Sequence, residues 1–286
     1  MKTLLITDLD NTLWDWFEAW YESFSALLDG LAQTSGVPIE TLEREIRVVH
    51  QARGTTEYSF LLGEVPSLVA AADGVDVEKF YGEALHAQRS ARIGHTRLYP
   101  TVLDTLTALR SQGVTIVAYT ESVAYWTEWR IRRTGLDGVI DRLYSAPDHD
   151  LPAGMTLNDV RTLPKEEYGL KATIHEHVPH GAIKPNVKIL RSILDDCGRD
   201  PNEAVYVGDS LMKDIAMAQE AGVLDAHAKY GESQLRAEYS LLQRVTHWPD
   251  QHVSREQQLT TSAEIAPTVI LTRFDEVLPL FSGEQA

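Results

Sequence analysis

The chain has 286 residues, 43% hydrophobic and 24% charged, with 26 basic and 42 acidic side chains and a formal charge of −16. This composition excludes a disordered chain and suits a principal folded domain with a smaller companion. The charge disfavours nucleic acid and anionic membranes as partners, and no window is apolar enough for a membrane span. Its single cysteine, Cys197, cannot form an internal disulfide, so a cytoplasmic location is expected.

The apolar run Leu4-Leu5-Ile6 reads as a strand buried on both faces, and it delivers two carboxylates, Asp8 and Asp10, at its end. Ligands of parallel sheets bind beyond that end of the strands. Two like charges so close need a cation or a shared proton, as a nucleophile beside a proton shuttle would; an Asp-rich turn is the bland alternative. Phe17, Trp20, Tyr21, Phe24, Leu27, Leu28 and Leu31 then recur at helical spacing. Further helical patterns carry the chain to about Leu98.

From Tyr99 the strand and helix alternation resumes. Val114 to Tyr119 is a β-branched run ending at Thr120-Glu121-Ser122, and Gly138 to Tyr144 suits a third strand. Residues 147–181 form a polar stretch with Pro and Gly, too long for a routine connection, and read as an irregular insertion. His175, His177 and His180 in it have a spacing a metal could use, but they are more simply loop histidines. Lys184-Pro185 opens a helix, and Ala204 to Gly208 is a strand running into Asp209 and Asp214. A last strand and helix read at Val269–Leu271 and from Phe274. Residues 232–266 carry no assigned role.

Strand ends of a parallel sheet converge on one edge. Asp8, Asp10, Thr120, Lys184, Asp209 and Asp214 would meet there, an inventory for metal-assisted displacement at phosphorus.

In these motifs the chain resembles the haloacid dehalogenase superfamily: Asp8-Leu9-Asp10-Asn11-Thr12, then Thr120, then Lys184, then Gly208-Asp209 with Asp214. The resemblance covers Met1 to about Gly222. It implies an α/β fold, a doubly wound Rossmann-like parallel sheet with an inserted all-helical cap. The core would be residues 1–14 and 99–286, the cap residues 15–98. It implies Mg²⁺ as cofactor, held by Asp8, Asp10 and Asp209. Asp8 would be the nucleophile, giving an aspartyl-phosphate, and Asp10 the general acid and base. Thr120 and Lys184 would bind the phosphoryl group, with Asp214 in support.

Asp10 separates activities within that family. Carbon–halogen cleavage needs no proton donor for its leaving group, whereas phosphomonoester hydrolysis does. The expected activity is therefore hydrolysis of a small phosphorylated metabolite. The alternatives are transfer of the phosphoryl group by a mutase or phosphotransferase, haloacid dehalogenation on the same scaffold, and a catalytically retired binding protein. One departure stands out: the residue after Thr120, commonly Asn or Asp in the family, is Glu121. Glu121, Trp16 and Arg53 are candidate substrate contacts. The motifs name the reaction and leave open the leaving group and the oligomeric state.

Overall fold

Leu4–Thr7 forms the strand β1, and all four of its residues are buried, as a strand covered on both faces requires. The computed structural model describes residues 1–148, 151–249 and 265–282. In it β1 is the middle strand of a seven-stranded sheet. The others are β2 (Thr115–Val123), β3 (Arg142–Ala146), β4 (Ile174–His177), β5 (Ala204–Gly208), β6 (Leu224–Ala228) and β7 (Val269–Leu271). The order is β4-β3-β2-β1-β5-β6-β7 and every pairing is parallel. Thr7 stands opposite Ala118 on one side and Val207 on the other, so the residues that follow these three positions, Thr120 among them inside β2, reach one edge. The chain order reverses at β1, and such a switch point is where an open α/β sheet forms its crevice.

The chain divides into two units. The helical unit contains α1 (Trp16–Ser35), α2 (Ile39–Arg53), α3 (Pro66–Ala71), α4 (Val77–Phe80) and α5 (Gly82–His95). Phe17, Trp20, Phe24, Leu27, Leu28 and Leu31 line the buried stripe of α1 and pack with Leu42, Ile46 and Val49 of α2. Helix α1 approaches α5 closely at Gly30, where an added Cβ would lie 2.7 Å from Ala84 Cβ.

The α/β unit contains the sheet with α6 (Val102–Ser111), α7 (Ala124–Arg133), α8 (Leu157–Val160), α9 (Val187–Asp196) and α10 (Ala216–Ala221). Leu190, Ile193 and Leu194 of α9 and Met217 and Ala218 of α10 cover the face that carries Leu4, Ile6, Val117, Tyr119 and Tyr206. Strand alternation turns the equally buried Leu5 and Ile116 to the opposite face.

Four features depart from the sequence expectation. The third strand begins at Arg142, because Gly138 adopts the left-handed conformation and the chain turns there. The segment 147–181, expected to be irregular, contributes β4. As an edge strand with one neighbour, Ile174-His175-Glu176-His177 is largely exposed and carries no apolar signature. Strand β6, Leu224-Asp225-Ala226-His227-Ala228, gave no signal because its polar residues are satisfied only in the fold; Thr268 donates to both oxygens of Asp225.

The fourth departure concerns residues 233–249, which the expected boundaries put in the core. Their helix α11 (Tyr239–Val245) belongs to the helical unit, burying Tyr239, Leu241, Leu242 and Val245 in its core. Arg244 donates to both carboxylate oxygens of Glu43, at 2.7 and 2.9 Å. The His50 ring binds the Val245 carbonyl at 2.7 Å. No periodicity within seven residues could reveal partners about 200 positions away. Residues 250–264 of the expected unassigned segment lie outside the described residues.

Candidate active site

The loop after β1 folds back on itself. Leu13 N–H donates to the Leu9 carbonyl at 2.8 Å and Asn11 N–H to the Trp14 carbonyl at 2.8 Å. Asn11 takes a positive φ of 59°, a conformation that Asn tolerates better than most residues. The turn that competed with the catalytic reading is thus present, and it holds Asp8 and Asp10 at the sheet edge.

Lys184 Nζ donates to Asp8 Oδ1 at 2.6 Å and to Asp214 Oδ1 at 2.9 Å, with all three side chains nearly buried. Its ammonium also lies 4.9 Å from the centre of the Tyr119 ring and 5.7 Å from that of Tyr206. Burial alone would lower the Lys184 pKa, but Asp214 and Asp8 outweigh it and hold the pKa well above the ordinary value. Burial pushes Asp8 up to about 7 against the pull of Lys184. Asp209 is driven well above the carboxylate range by burial, then by Asp8 and Asp214.

Asp214 is saturated with donors. Its Oδ1 accepts from Lys184 and from the Tyr206 hydroxyl at 2.9 Å, and its Oδ2 from Ser210 N–H at 3.1 Å. Gly208 allows this, because an added Cβ would lie 2.4 Å from Asp214 Cγ.

Asp10 is held from two sides. Trp14 Nε1 donates to Oδ1 at 2.6 Å and Ser122 Oγ to Oδ2 at 2.5 Å, while the buried Arg130 of α7 comes within 3.8 Å of Oδ1. Thr120 Oγ1 accepts from Ser122 N–H at 3.1 Å, which leaves its own proton as a donor. Glu121 accepts from Lys184 N–H at 2.7 Å and from Lys213 Nζ at 2.5 Å. Burial would raise its pKa, but Lys213 and Lys184 hold it below the ordinary range, so it stays ionised.

Ser122, Arg130 and Lys213 were not singled out in the sequence, nor was a group at the end of β6 and in the turn beyond it. His227 Nε2 donates to the Asp209 carbonyl at 3.0 Å, and the Tyr230 hydroxyl to the Thr12 carbonyl at 2.7 Å. Gly231 packs on the first loop, where an added Cβ would fall 1.7 Å from the Asn11 carbonyl oxygen. The only hint was a Tyr-Gly pair some twenty residues after Asp209. Trp16 and Arg53 lie in the helical unit, where Trp16 Nε1 donates to Glu57 at 3.2 Å and Arg53 pairs with Glu64 through Nε and NH2. His175 bonds Glu128 through Nδ1 at 2.9 Å and Ser145 through Nε2 at 2.8 Å.

A divalent cation fits the donor set. One carboxylate oxygen from each of Asp8, Asp209 and Asp214 lies within 4.8 Å of the others. Hard carboxylate oxygens suit Mg²⁺.

A family model for haloacid dehalogenase-like hydrolases matches residues 2–222. The chain belongs to the haloacid dehalogenase-like hydrolase family. A curated family relative, the glyceraldehyde 3-phosphate phosphatase of Methanopyrus kandleri, is 26% identical over 242 residues, covering 82% of this chain and 87% of that protein. Among solved structures, a 2-haloacid dehalogenase from Pseudomonas syringae superposes with a TM-score of 0.53 at 21% identity, covering 98% of this chain and 97% of the other. A phosphatase of the family from Thermococcus onnurineus gives 0.52 at 16% identity with full coverage of both chains. These two likenesses speak for the family fold. Among the described residues no helix is long and apolar enough to cross a membrane.

Proposed function

We propose that this hydrolase cleaves small phosphomonoesters with the help of Mg²⁺, through an aspartyl-phosphate on Asp8. The observation that carries the reading is the placement of a second carboxylate, Asp10, on the same loop as an Asp8 that pairs with Lys184. A dehalogenase needs only the first carboxylate, and a phosphatase needs both. The name of the Methanopyrus kandleri relative, a phosphatase, supports the same choice.

Asp8 and Asp209, with the backbone of Asp10, would hold the ion, leaving Asp214 to Lys184 and Tyr206. When bound, the ion would neutralise the carboxylates and draw charge from the phosphoryl oxygens. Asp8 attacks phosphorus and Asp10 passes its proton to the departing ester oxygen. Water then attacks the aspartyl-phosphate and gives its proton back to Asp10, releasing phosphate and restoring Asp8. Lys184 and the Thr120 hydroxyl hold the phosphoryl oxygens as charge develops on them. The helical unit, Trp16 and Arg53 included, would select the leaving group.

Phosphate release from p-nitrophenyl phosphate and a panel of phosphorylated metabolites tests the reading, with Mg²⁺ present and in ¹⁸O-water. Wild-type turnover with solvent oxygen in the phosphate supports it. A wild-type rate no greater than that of Asp8→Asn overturns it, and turnover that moves phosphate to an acceptor hydroxyl without solvent oxygen makes the chain a transferase.

A further inference from the structure

Position 121 carries Glu where the family resemblance leads one to expect Asn or Asp. An Asn beside Thr120 would offer N–H groups to a substrate. Glu121 offers none: it is ionised, one oxygen accepts from Lys184 N–H, and the other binds the Lys213 ammonium. The side chain that replaces the lost donor comes from the opposite side of β1. Lys213 stands in the wide helical turn Leu211–Ile215 that follows β5, four residues beyond Asp209, and its charge offsets part of the field that raises Asp209.

Three cations gather at this edge, and they differ in access. The side chains of Lys184 and Arg130 are 2% and 3% exposed, whereas Lys213 keeps 22% and its partner Glu121 25%. Lys184 is committed to Asp8 and Asp214. Lys213, paired with Glu121, is therefore the most exposed of these three cations. Glu121 holds its flexible stem in place, which reduces the ordering cost of using it. On a chain with a net charge of −16, a doubly anionic substrate needs such a local cation.

We infer that Lys213, positioned by Glu121, is a specificity-determining residue that selects phosphomonoesters whose leaving group carries a second anionic group, a carboxylate or another phosphate. This rests on the phosphatase reading above. The ammonium takes no part in bond breaking; it binds the distal anion while Asp8 and Asp10 carry out the displacement.

Matched substrates test this: 2-phosphoglycolate against 2-hydroxyethyl phosphate, and 3-phosphoglycerate against glycerol 1-phosphate, each pair differing by a carboxylate in place of a hydroxymethyl group. Wild-type enzyme should prefer the carboxylate member in kcat/KM by about tenfold or more, the scale of one charge-assisted hydrogen bond. Lys213→Met should lose that preference mainly through KM, and Lys213→Arg should keep most of it. Removing Lys213 alone leaves Glu121 without its cation, so the double variant Glu121→Gln/Lys213→Met is measured beside it and should lose the preference too. An absent wild-type preference, or one unchanged in both Met-containing variants, overturns the inference. So does an equal loss on both members of each pair, which would make Lys213 a structural strut. No wild-type turnover of any phosphomonoester overturns the phosphatase reading itself.

Discussion

Lys184 and Asp8 are 176 residues apart in sequence and 2.6 Å apart at Nζ and Oδ1. The contact serves two demands that conflict. It pulls the buried Asp8 carboxyl toward its ionised form against the burial that raises its pKa, and it keeps a cation where the proposed phosphoryl group would bind. Lys184→Met removes the cation from between Asp8 and Asp214. Activity should fall by at least about 10²-fold, the scale of losing one preorganised charge contact. Thermal stability without metal should fall as well, because two buried carboxylates lose their partner. Adding Mg²⁺ should then raise the melting temperature of the variant more than that of wild type, as scanning calorimetry would register.

Trp14 and Ser122 aim Asp10. Trp14→Phe keeps the buried ring and deletes the Nε1 donor at 2.6 Å. With the Ser122 bond at 2.5 Å retained, kcat should drop by roughly tenfold while KM stays within a factor of about two, the signature of a misaligned proton shuttle. Asp10→Asn, which cannot shuttle a proton, should lose about 10²–10⁴-fold. A Trp14→Phe enzyme with wild-type kcat would remove this role from the indole.

Gly231 leaves no space for a side chain against the Asn11 carbonyl. Gly231→Ala must push the first loop away, and displacements near 1 Å at a reacting group cost about 10²-fold in rate. Steady-state kinetics should show that loss together with a melting temperature that moves by only a few degrees, since Gly231 lies in the short turn Lys229–Gly231 after β6 and outside the two apolar clusters.

His50 makes the helical unit sensitive to acid. Burial pushes its pKa down to about 4, against 6.5 for the exposed residue, despite the opposing bond to Val245. Above pH 6.5 the imidazole is neutral whether folded or unfolded and contributes no pH dependence. Between 6.5 and 4 the unfolded chain takes the proton and the folded chain does not, so stability falls, by about 3 kcal/mol in total at 1.36 kcal/mol per pH unit. Urea titrations at pH 7 and pH 4.5 should show this loss in wild type. His50→Leu should be less stable than wild type at pH 7, where the Val245 bond is missing, and the gap should narrow at pH 4.5. A gap that is constant with pH would refute the assignment.

Helix α1 crosses α5 at Gly30, where a Cβ would meet Ala84 at 2.7 Å. Gly30→Val should destabilise the fold by roughly 1–3 kcal/mol, as overpacking does, even though valine adds apolar area. A chemical-denaturation midpoint unchanged from wild type would mean that the two helices separate freely.

What could be read in the sequence was local. The apolar run before Asp8, the β-branched run before Thr120 and the run before Asp209 each mark a strand within a few residues, and a parallel sheet brings their ends to one edge. The aromatic stripe from Phe17 to Leu31 marked the helical unit for the same reason: its period lies within a single element. Strands β4 and β6 escaped because an edge position exposes one and hydrogen bonds with distant partners satisfy the polar residues of the other.

Tertiary structure alone decided which donors meet which carboxylates. Ser122 reaches Asp10 across 112 residues, Lys213 reaches Glu121 across 92, and Arg244 carries the segment from Ser233 into the helical unit by pairing with Glu43 across 201. Hydrogen bonds and ion pairs act over about 3 Å in space and leave no periodic trace along the chain. Asp8 and Asp10 therefore marked the candidate site from sequence, while the residues that bond to them and to their neighbours became visible only once the sheet had brought distant strand ends together.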